Sequence, residues 1–347
     1  MRQPLNYLTA SMLVIVLLIA SCAPTFRTVV NFKAKIFQGT PEEIAKVENL
    51  NIAGSEVQIP LRIYTPEGSS PFPILVFMHG GGWVTGNLDT CDNICRFLAN
   101  RVGCIVISVD YRLAPKHKFP AAVEDVYSAV QWVAENVTRI NGDPNRIAVG
   151  GVSAGGNLAA VVCLMSKHQN GPSLVFQLLA FPATNLASLE TDSYRDFGKG
   201  YGLTKSHVKW FRKQYLNSED DRKNPYVSPL LADDLTGLPP ALIITGKYDV
   251  ARDDGKAYAT RLKQEGVSVR YKCFAGGHMA HWGVKSDRAG AALHAAVSAL
   301  SAAFSKCSPN VYKLSQADTD DLGDACPSDP ENDIDDDVFG EECNNCL

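Results

Sequence analysis

The chain has 347 residues, of which 46% are hydrophobic, and it carries a net charge of −4. This length can bury a substantial core, in one large α/β domain or in two smaller domains. Residues 318–347 contain twelve acidic residues and no Lys or Arg, which leaves a net charge of +8 on the preceding residues. A mild positive charge without basic runs does not indicate nucleic-acid binding, so no nucleic-acid partner is expected.

The N-terminal segment has the pattern of an export signal. An apolar run extends from Leu8 to Ala20, which is short for a membrane span and typical of a secretory signal peptide. The run ends in Ile-Ala-Ser-Cys, with Cys22 as its last residue. This ending resembles a bacterial lipoprotein signal, in which the cysteine becomes the lipidated first residue. The resemblance implies loss of residues 1–21 and membrane anchoring through Cys22, because several acyl chains on one residue anchor stably.

Ala23 bears on the location of the mature protein. In lipoproteins of this type, Asp directly after the cysteine often marks retention in the inner membrane, and here the residue is Ala23. We therefore expect an exported protein anchored at the bacterial outer membrane or the cell surface. A periplasmic location is one alternative, and an ordinary signal peptide cleaved at another position is a second.

Ten cysteines in an exported chain are candidates for disulfides. Cys104 and Cys163 lie in apolar segments and are expected to be inert core thiols. Cys91 and Cys95 are one helical turn apart, without a second pair to complete a zinc site. The better disulfide candidates belong to the tail and are Cys307, Cys326, Cys343 and Cys346.

Strand and helix patterns alternate through the middle of the chain. Short apolar runs predict strands at 57–66, 73–80, 104–111, 146–153, 174–182, 241–246 and 267–274. Segments with helical periodicity predict helices at 120–137, 154–168, 252–266 and 288–304. Continuous apolar strands that alternate with helices indicate a mostly parallel sheet covered by helices on both faces.

Two regions do not fit the alternation. The polar, aromatic-rich segment 185–230 interrupts it, and residues 24–54 are mixed in character. Thr40 followed by Pro41 predicts the start of a helix, as a cap followed by proline at the first helical position. We expect both regions to form a cap rather than part of the sheet.

A nucleophile motif lies between a predicted strand and a predicted helix. Residues 151–155 read Gly-Val-Ser-Ala-Gly, and a tight turn with small neighbours exposes the hydroxyl of the central serine, Ser153. The sequence is short enough to occur by chance, but its strand-to-helix placement favours the functional interpretation. The backbone N–H of Ala154, at the start of the helix, could then stabilise a developing oxyanion.

A second source of N–H donors follows the strand at 73–80. Residues 79–82 read His-Gly-Gly-Gly, and consecutive glycines allow the backbone to approach a ligand closely. Such a loop supplies the oxyanion hole of lipases and esterases, so Gly80 and Gly81 are predicted donors. The alternative is a flexible glycine turn. We interpret His79 as structural.

The order nucleophile, acid, histidine is then completed by two later loops. Asp249 follows the strand at 241–246, at the carboxyl edge of the sheet where α/β sites lie. The next strand leads to His278 and His281. We predict His278 as the base and His281 as a neighbour lining the site, with His281 as the alternative base. Zinc binding by the two histidines is a further alternative, but a glycine pair makes this segment a loop and no carboxylate-rich partner motif appears.

These motifs together resemble the hormone-sensitive-lipase family of α/β-hydrolases, also called bacterial family IV esterases. The shared segments are 79–83, 110–125, 151–157, 248–255 and the His278 loop, and the resemblance covers about residues 40–305. It implies an α/β-hydrolase fold with an eight-stranded, mostly parallel sheet and a helical cap over a domain at 22–305. It also implies Ser153 as nucleophile, Asp249 as orienting acid and His278 as base, without a cofactor or metal in the chemistry.

The tail at 306–347 contains an internal repeat. Asp318, Asp320 and Asp324 precede Cys326, and the pattern recurs seventeen residues later as Asp335, Asp337 and Glu341 before Cys343. Alternating carboxylates around a glycine provide the oxygen ligands that Ca²⁺ prefers. The repeat resembles thrombospondin type 3 repeats, which implies calcium binding by these carboxylates. A disordered acidic extension is the alternative.

The expected function is that of a serine carboxylesterase acting on short- to medium-chain acyl or aryl esters. The same residues could serve an amidase or lactone hydrolase. Two other classes remain open: a ligand-binding protein on this fold, and a surface adhesion module in which the tail carries the function. The oligomeric state is not predicted.

Overall fold

The computed structural model describes residues 27, 28, 31, 41–285 and 288–306. The predicted signal peptide, Cys22 and the acidic tail beyond Lys306 lie outside the described residues. Among the helices that are described, none is both long enough and apolar enough to cross a membrane.

The described residues form a central sheet of eight strands. In chain order these are β1 (Lys46–Ala53), β2 (Gln58–Thr65), β3 (Phe72–Met78), β4 (Ile105–Val109), β5 (Gly142–Val152), β6 (Phe176–Ala180), β7 (Ala241–Gly246) and β8 (Val269–Phe274). Their order across the sheet is β1-β2-β4-β3-β5-β6-β7-β8. The pairs β1–β2 and β2–β4 are antiparallel, and the other neighbouring pairs are parallel. The predicted mostly parallel, eight-stranded sheet is confirmed.

Helices connect the strands. They are α1 (Asp92–Val102), α2 (Ala121–Glu135), α3 (Ala154–His168), α4 (Asp192–Asp196), α5 (Lys205–Tyr215), α6 (Arg252–Gln264) and α7 (Ala291–Lys306). Short 3-10 helices lie at Leu88–Cys91, Asp220–Lys223 and Pro229–Leu231, and the two-residue strands β9 (Val284–Lys285) and β10 (Arg288–Ala289) pair with each other. The segment 185–230 contributes α4 and α5 between β6 and β7, as an insertion without a strand of the central sheet.

The hydrophobic core lies on both faces of the sheet. In β3, Ile74, Val76 and Met78 face one cluster while Leu75 and Phe77 face the other, because successive side chains of a strand point to opposite faces. The first cluster also contains side chains of α2, α3 and α6, and the second contains side chains of α1 and α7. Every residue of β3 is buried, which explains its uninterrupted apolar sequence.

The prediction that residues 24–54 belong to a cap is wrong for their last part. Residues 46–53 form β1, which pairs along its whole length with β2, and residues 41–45 form no helix. β1 is an edge strand, and of its eight residues only Ile52 is buried. Four of its five exposed positions carry charged or amide side chains, as is common at sheet edges. These polar residues obscure the alternation by which a strand is recognised.

Candidate active site

The nucleophile candidate Ser153 lies at the sharp turn from β5 to α3. Its backbone has φ 57° and ψ −117°, a conformation that is costly for a residue with a side chain. The Ser153 N–H donates to the Ala180 carbonyl at 2.8 Å and holds the turn against β6. A Cβ at Gly151 would lie 2.3 Å from the Gly155 carbonyl oxygen, and one at Gly155 would lie 2.0 Å from that of Met78. The turn therefore requires both glycines.

His278 lies between Ser153 and Asp249. Its Nε2 is 2.9 Å from Ser153 Oγ, and its Nδ1 is 2.8 Å from Asp249 Oδ2. Because a carboxylate only accepts hydrogen bonds, Nδ1 of His278 carries the proton and Nε2 is left to accept the Ser153 hydroxyl. Asp249 is 1% exposed, and its other oxygen accepts the Ala251 N–H at 2.9 Å. The carboxylate is thereby fixed in position.

Backbone hydrogen bonds hold the loops of Asp249 and His278 together. The Lys247 N–H donates to the Phe274 carbonyl at 2.8 Å, and the Tyr248 N–H donates to the Gly276 carbonyl at 2.9 Å. Gly276 has a φ of +106°, which favours glycine. A Cβ at Gly246 would lie 2.4 Å from the Gly277 carbonyl oxygen. The glycine pair before His278 thus allows its loop to pack directly against the end of β7.

Phe181 is a site residue that sequence reasoning missed. It follows β6, is fully buried, and has a φ of +48°. Its ring meets the His278 ring edge-on, with centroids 5.9 Å apart at 72°. The contact restricts the orientation of the imidazole. An apolar residue after an apolar strand gives no sequence signal for such a role.

The second histidine of this loop, His281, has different surroundings from His278. It is exposed, and its ring centroid lies 6.3 Å from that of Phe274. The structure brings His278, rather than His281, to Ser153. Within the described part of the chain, no group of three or more His, Cys, Asp or Glu side chains is placed to hold a metal ion. The predicted carboxylate ligands of the tail lie outside that part.

Two of the predicted oxyanion donors, Gly80 and Ala154, lie beside Ser153. A Cβ at Gly80 would lie 3.5 Å from Ser153 Cβ, and Gly81 has a φ of +124°. Among the described residues, no backbone carbonyl accepts from the N–H groups of Gly80 and Gly81. Ala154 is the first residue of α3, where N–H groups have no partner within the helix. The three N–H groups are therefore able to bind an anionic oxygen beside Ser153.

His79 supports the glycine loop at 80–82, in agreement with the structural role predicted for it. Its Nδ1 donates to the Gly80 carbonyl at 2.8 Å, and the Tyr111 hydroxyl donates to the His79 carbonyl at 2.8 Å. The His79 and Tyr111 rings stack with centroids 4.3 Å apart. Burial lowers the pKa of His79 to about 4, so the ring is neutral at pH 7.

The sequence matches a family model described as alpha/beta hydrolase fold over residues 75–282. The chain belongs to this family. The match includes the glycine loop, the Ser153 turn, Asp249 and His278. It ends at Trp282, well before the acidic tail.

Relatives of known name support the family assignment. The carboxylic ester hydrolase LipN of Mycobacterium tuberculosis is 46% identical over 235 residues, which cover 66% of this chain and 62% of LipN. An arylesterase of Saccharolobus solfataricus is 40% identical over 229 residues, which cover 65% of this chain and 74% of the arylesterase. The enzyme class expected from the sequence, a carboxylic ester hydrolase, is the class by which LipN is named, and the second relative is named an arylesterase.

Solved structures of esterases have the same fold as this chain. The esterase of the archaeon Pyrobaculum calidifontis superposes with a TM-score of 0.76 at 37% identity, covering 88% of this chain and 99% of that esterase. A thermostable carboxylesterase cloned from a metagenomic library gives a TM-score of 0.74 at 36% identity, over 83% of this chain and 97% of its own. The α/β-hydrolase fold expected from the sequence is confirmed.

Proposed function

We propose that this protein is a serine carboxylesterase with Ser153 as nucleophile, His278 as base and Asp249 as orienting acid. The observation that carries the proposal is the pair of hydrogen bonds of His278, to Ser153 at 2.9 Å and to Asp249 at 2.8 Å. Nucleophile, base and orienter within hydrogen-bond reach of one another are the arrangement that activates a serine.

Acylation begins when Ser153 Oγ attacks the ester carbonyl carbon and its proton passes to His278 Nε2. Asp249 keeps the imidazole in the tautomer that leaves Nε2 free to accept, and it stabilises the imidazolium that forms. The N–H groups of Gly80, Gly81 and Ala154 stabilise the oxyanion of the tetrahedral intermediate. One such donor contributes on the order of 10²–10³ in rate.

The intermediate collapses when His278 gives its proton to the leaving alcohol. The acyl group then remains on Ser153 as an ester. Water enters, gives a proton to the same Nε2 and attacks the acyl carbon. The second tetrahedral intermediate then collapses as His278 returns this proton to Ser153 Oγ, which breaks the bond to serine and releases the carboxylic acid. No step uses a dissolved cofactor or a metal ion.

Short- to medium-chain acyl or aryl esters are the proposed substrates. The names of the LipN relative, a carboxylic ester hydrolase, and of the related arylesterase support this class. The test is hydrolysis of p-nitrophenyl esters from acetate to dodecanoate by the wild type and by Ser153→Ala. We expect activity at the shorter chains that disappears in the variant. An inactive wild type would support the ligand-binding alternative.

The proposal includes export and anchoring through lipidated Cys22. The apolar run that ends in Ile-Ala-Ser-Cys supports it, and so does Cys273, which is disulfide-bonded, because disulfides persist in oxidising compartments. Expression in a bacterial host followed by membrane fractionation tests the proposal. We expect the wild type in the membrane fraction and Cys22→Ala outside it.

We also propose that the tail binds calcium. The repeat of Asp318, Asp320 and Asp324 as Asp335, Asp337 and Glu341 supports this. Calorimetric titration of the full chain with Ca²⁺ should give binding heat that is absent from a chain ending at Lys306. Equal heats for the two chains would refute the proposal.

A further inference from the structure

The described N-terminal residues bind the loop that follows the oxyanion glycines. Arg27 donates from Nε to the Val84 carbonyl at 2.7 Å and from Nη2 to the Ala114 carbonyl at 3.0 Å. Asn31 Oδ1 accepts the Gly86 N–H at 3.0 Å. Val84 and Gly86 come directly after the glycine loop. The start of the domain is therefore fixed beside the glycine loop, because a Cβ at Gly86 would lie 2.4 Å from the Gly80 carbonyl oxygen.

This attachment limits how far the site can lie from a membrane. Cys22 precedes Arg27 by five residues, and five fully extended residues span at most about 18 Å. A domain of this size is roughly 50 Å across. A bilayer that holds acyl chains on Cys22 must therefore lie on the active-site side of the domain.

Helix α5 and the segment before it carry a net positive charge. Residues 197–216 contain five Lys or Arg and no Asp or Glu. In α5, Val208 and Tyr215 are buried, whereas Lys209 and Lys213 are exposed. Lysines exposed on the outer side of a helix are attracted to anionic lipid headgroups, by about 1 kcal/mol each near the surface.

Helix α5 of the 185–230 insertion reaches the glycine loop. Phe211 of α5 packs against Gly82, where a Cβ would lie 2.3 Å from its ring. Tyr201, whose backbone carbonyl oxygen lies beside Gly277, is 43% exposed, and Met279, next to His278, is 38% exposed. Exposed apolar side chains beside the reacting residues are unfavourable in water and favourable at a lipid interface.

We infer that the anchored protein holds the mouth of its active site against an anionic lipid surface and takes its esters from the bilayer. The inference rests on the proposed esterase activity and on lipidation of Cys22. It adds the source of the substrate and the orientation of the enzyme. The headgroup layer is the proposed partner of the exposed side chains Tyr201, Lys209, Lys213 and Met279.

Tether length provides the first test. The lipidated full chain is placed on vesicles of phosphatidylglycerol and phosphatidylcholine that carry 4-methylumbelliferyl octanoate, and its rate is divided by its rate on p-nitrophenyl acetate in water. A variant receives about 40 Gly and Ser residues between Ala23 and Pro24, which lowers the effective concentration at the surface by roughly 10- to 30-fold. We expect the rate ratio to fall about tenfold. An unchanged ratio overturns the inference.

Charge reversal provides the second test. We expect Lys209→Glu with Lys213→Glu to lower the ratio severalfold on these vesicles, and less at high salt. The matched control is Arg139→Glu with Arg270→Glu, two exposed residues at the opposite end of the sheet, just before β5 and at the start of β8. Equal losses in the two double variants overturn the inference.

Two further measurements separate the possible failures. Mass spectrometry of the N-terminal peptide shows whether Cys22 carries acyl chains, and their absence refutes the anchoring together with the orientation. Lack of hydrolysis of p-nitrophenyl acetate in water refutes the proposed esterase instead. If the enzyme is lipidated and active but its ratio of vesicle rate to aqueous rate does not change with tether length, the orientation alone is refuted.

Discussion

Asp254 is a buried carboxyl group whose replacement tests the electrostatics around the active site. It lies in the first turn of α6 and is 1% exposed. Burial is the main cause that raises the pKa of Asp254 to about 8; the negative charges of Asp253 and Asp249 contribute to the rise, and the Asn185 side chain opposes it. At pH 7 the group is therefore mostly protonated. The informative substitution is Asp254→Asn, because it keeps a neutral group of the same shape.

The magnitude follows from the difference between the folded and unfolded pKa values. In the unfolded chain Asp titrates near pH 4, about four units lower. Because the pKa is raised on folding, the stabilisation by protonated Asp254 is complete below about pH 4 and is lost as pH rises towards 8. One pH unit corresponds to about 1.4 kcal/mol for one proton, so the loss between pH 4 and pH 7 is about 4 kcal/mol.

Urea unfolding at several pH values measures this effect. The free energy of unfolding of Asp254→Asn minus that of the wild type should increase by about 4 kcal/mol from pH 4 to pH 7 and level off above about pH 8. Groups that do not interact with Asp254 titrate alike in both proteins and cancel in this difference. A difference that stays constant with pH would show that Asp254 is ionised in the folded protein and would refute the reasoning.

The neighbouring Asp253 provides a control of opposite sign. Burial opposes its ionisation, but hydrogen bonds from the Arg252 side chain and the Ser193 N–H, at 2.8 and 2.7 Å, lower the pKa of Asp253 overall. Its stabilisation is present above the unfolded pKa and is lost as pH falls. Asp253→Asn should therefore be less stable than the wild type at pH 7, with the deficit shrinking in acid.

Three further predictions concern the loops around the site. Gly155→Ala should destabilise the protein by several kcal/mol in thermal unfolding, because its Cβ would lie 2.0 Å from the Met78 carbonyl oxygen. The control Gly283→Ala should leave the stability nearly unchanged, because no atom lies within 4 Å of its Cβ position. Tyr111→Phe removes the 2.8 Å hydrogen bond to the His79 carbonyl and should cost about 1 kcal/mol in urea unfolding; no loss would mean that this bond does not support the loop. Asp249→Asn should lower kcat on p-nitrophenyl butyrate about 10⁴-fold, with the wild-type fold by circular dichroism, because the wrong tautomer of His278 is favoured. A normal kcat would remove Asp249 from the mechanism.

The sequence predicts those parts of the site that depend on the conformation of a short backbone segment or on the ends of neighbouring strands. The turn at Ser153 leaves no room for side chains at Gly151 and Gly155. The two glycines that the turn needs are therefore visible in the sequence within two residues of the serine. Asp249 and His278 follow apolar strands, and the carboxyl ends of parallel strands meet at one edge of the sheet. Strand and helix patterns therefore place the three residues near one another.

Other features depend on contacts between distant residues. The orientation of His278 depends on Phe181, and the raised pKa of Asp254 depends on burial that the fold creates. The sequence around Arg27 does not reveal its hydrogen bond to Val84, 57 residues away. The sequence does not predict β1 for another reason: an exposed edge strand lacks the regular alternation of apolar residues that a buried strand shows.

The central claim is that His278 is the base that activates Ser153. The most direct measurement is steady-state hydrolysis of p-nitrophenyl butyrate by the wild type, His278→Ala and His281→Ala. We predict a loss in kcat on the order of 10⁴–10⁶ for His278→Ala, and near wild-type kcat for His281→Ala, whose exposed ring lies against Phe274. An active His278→Ala enzyme beside an inactive His281→Ala enzyme would contradict the account.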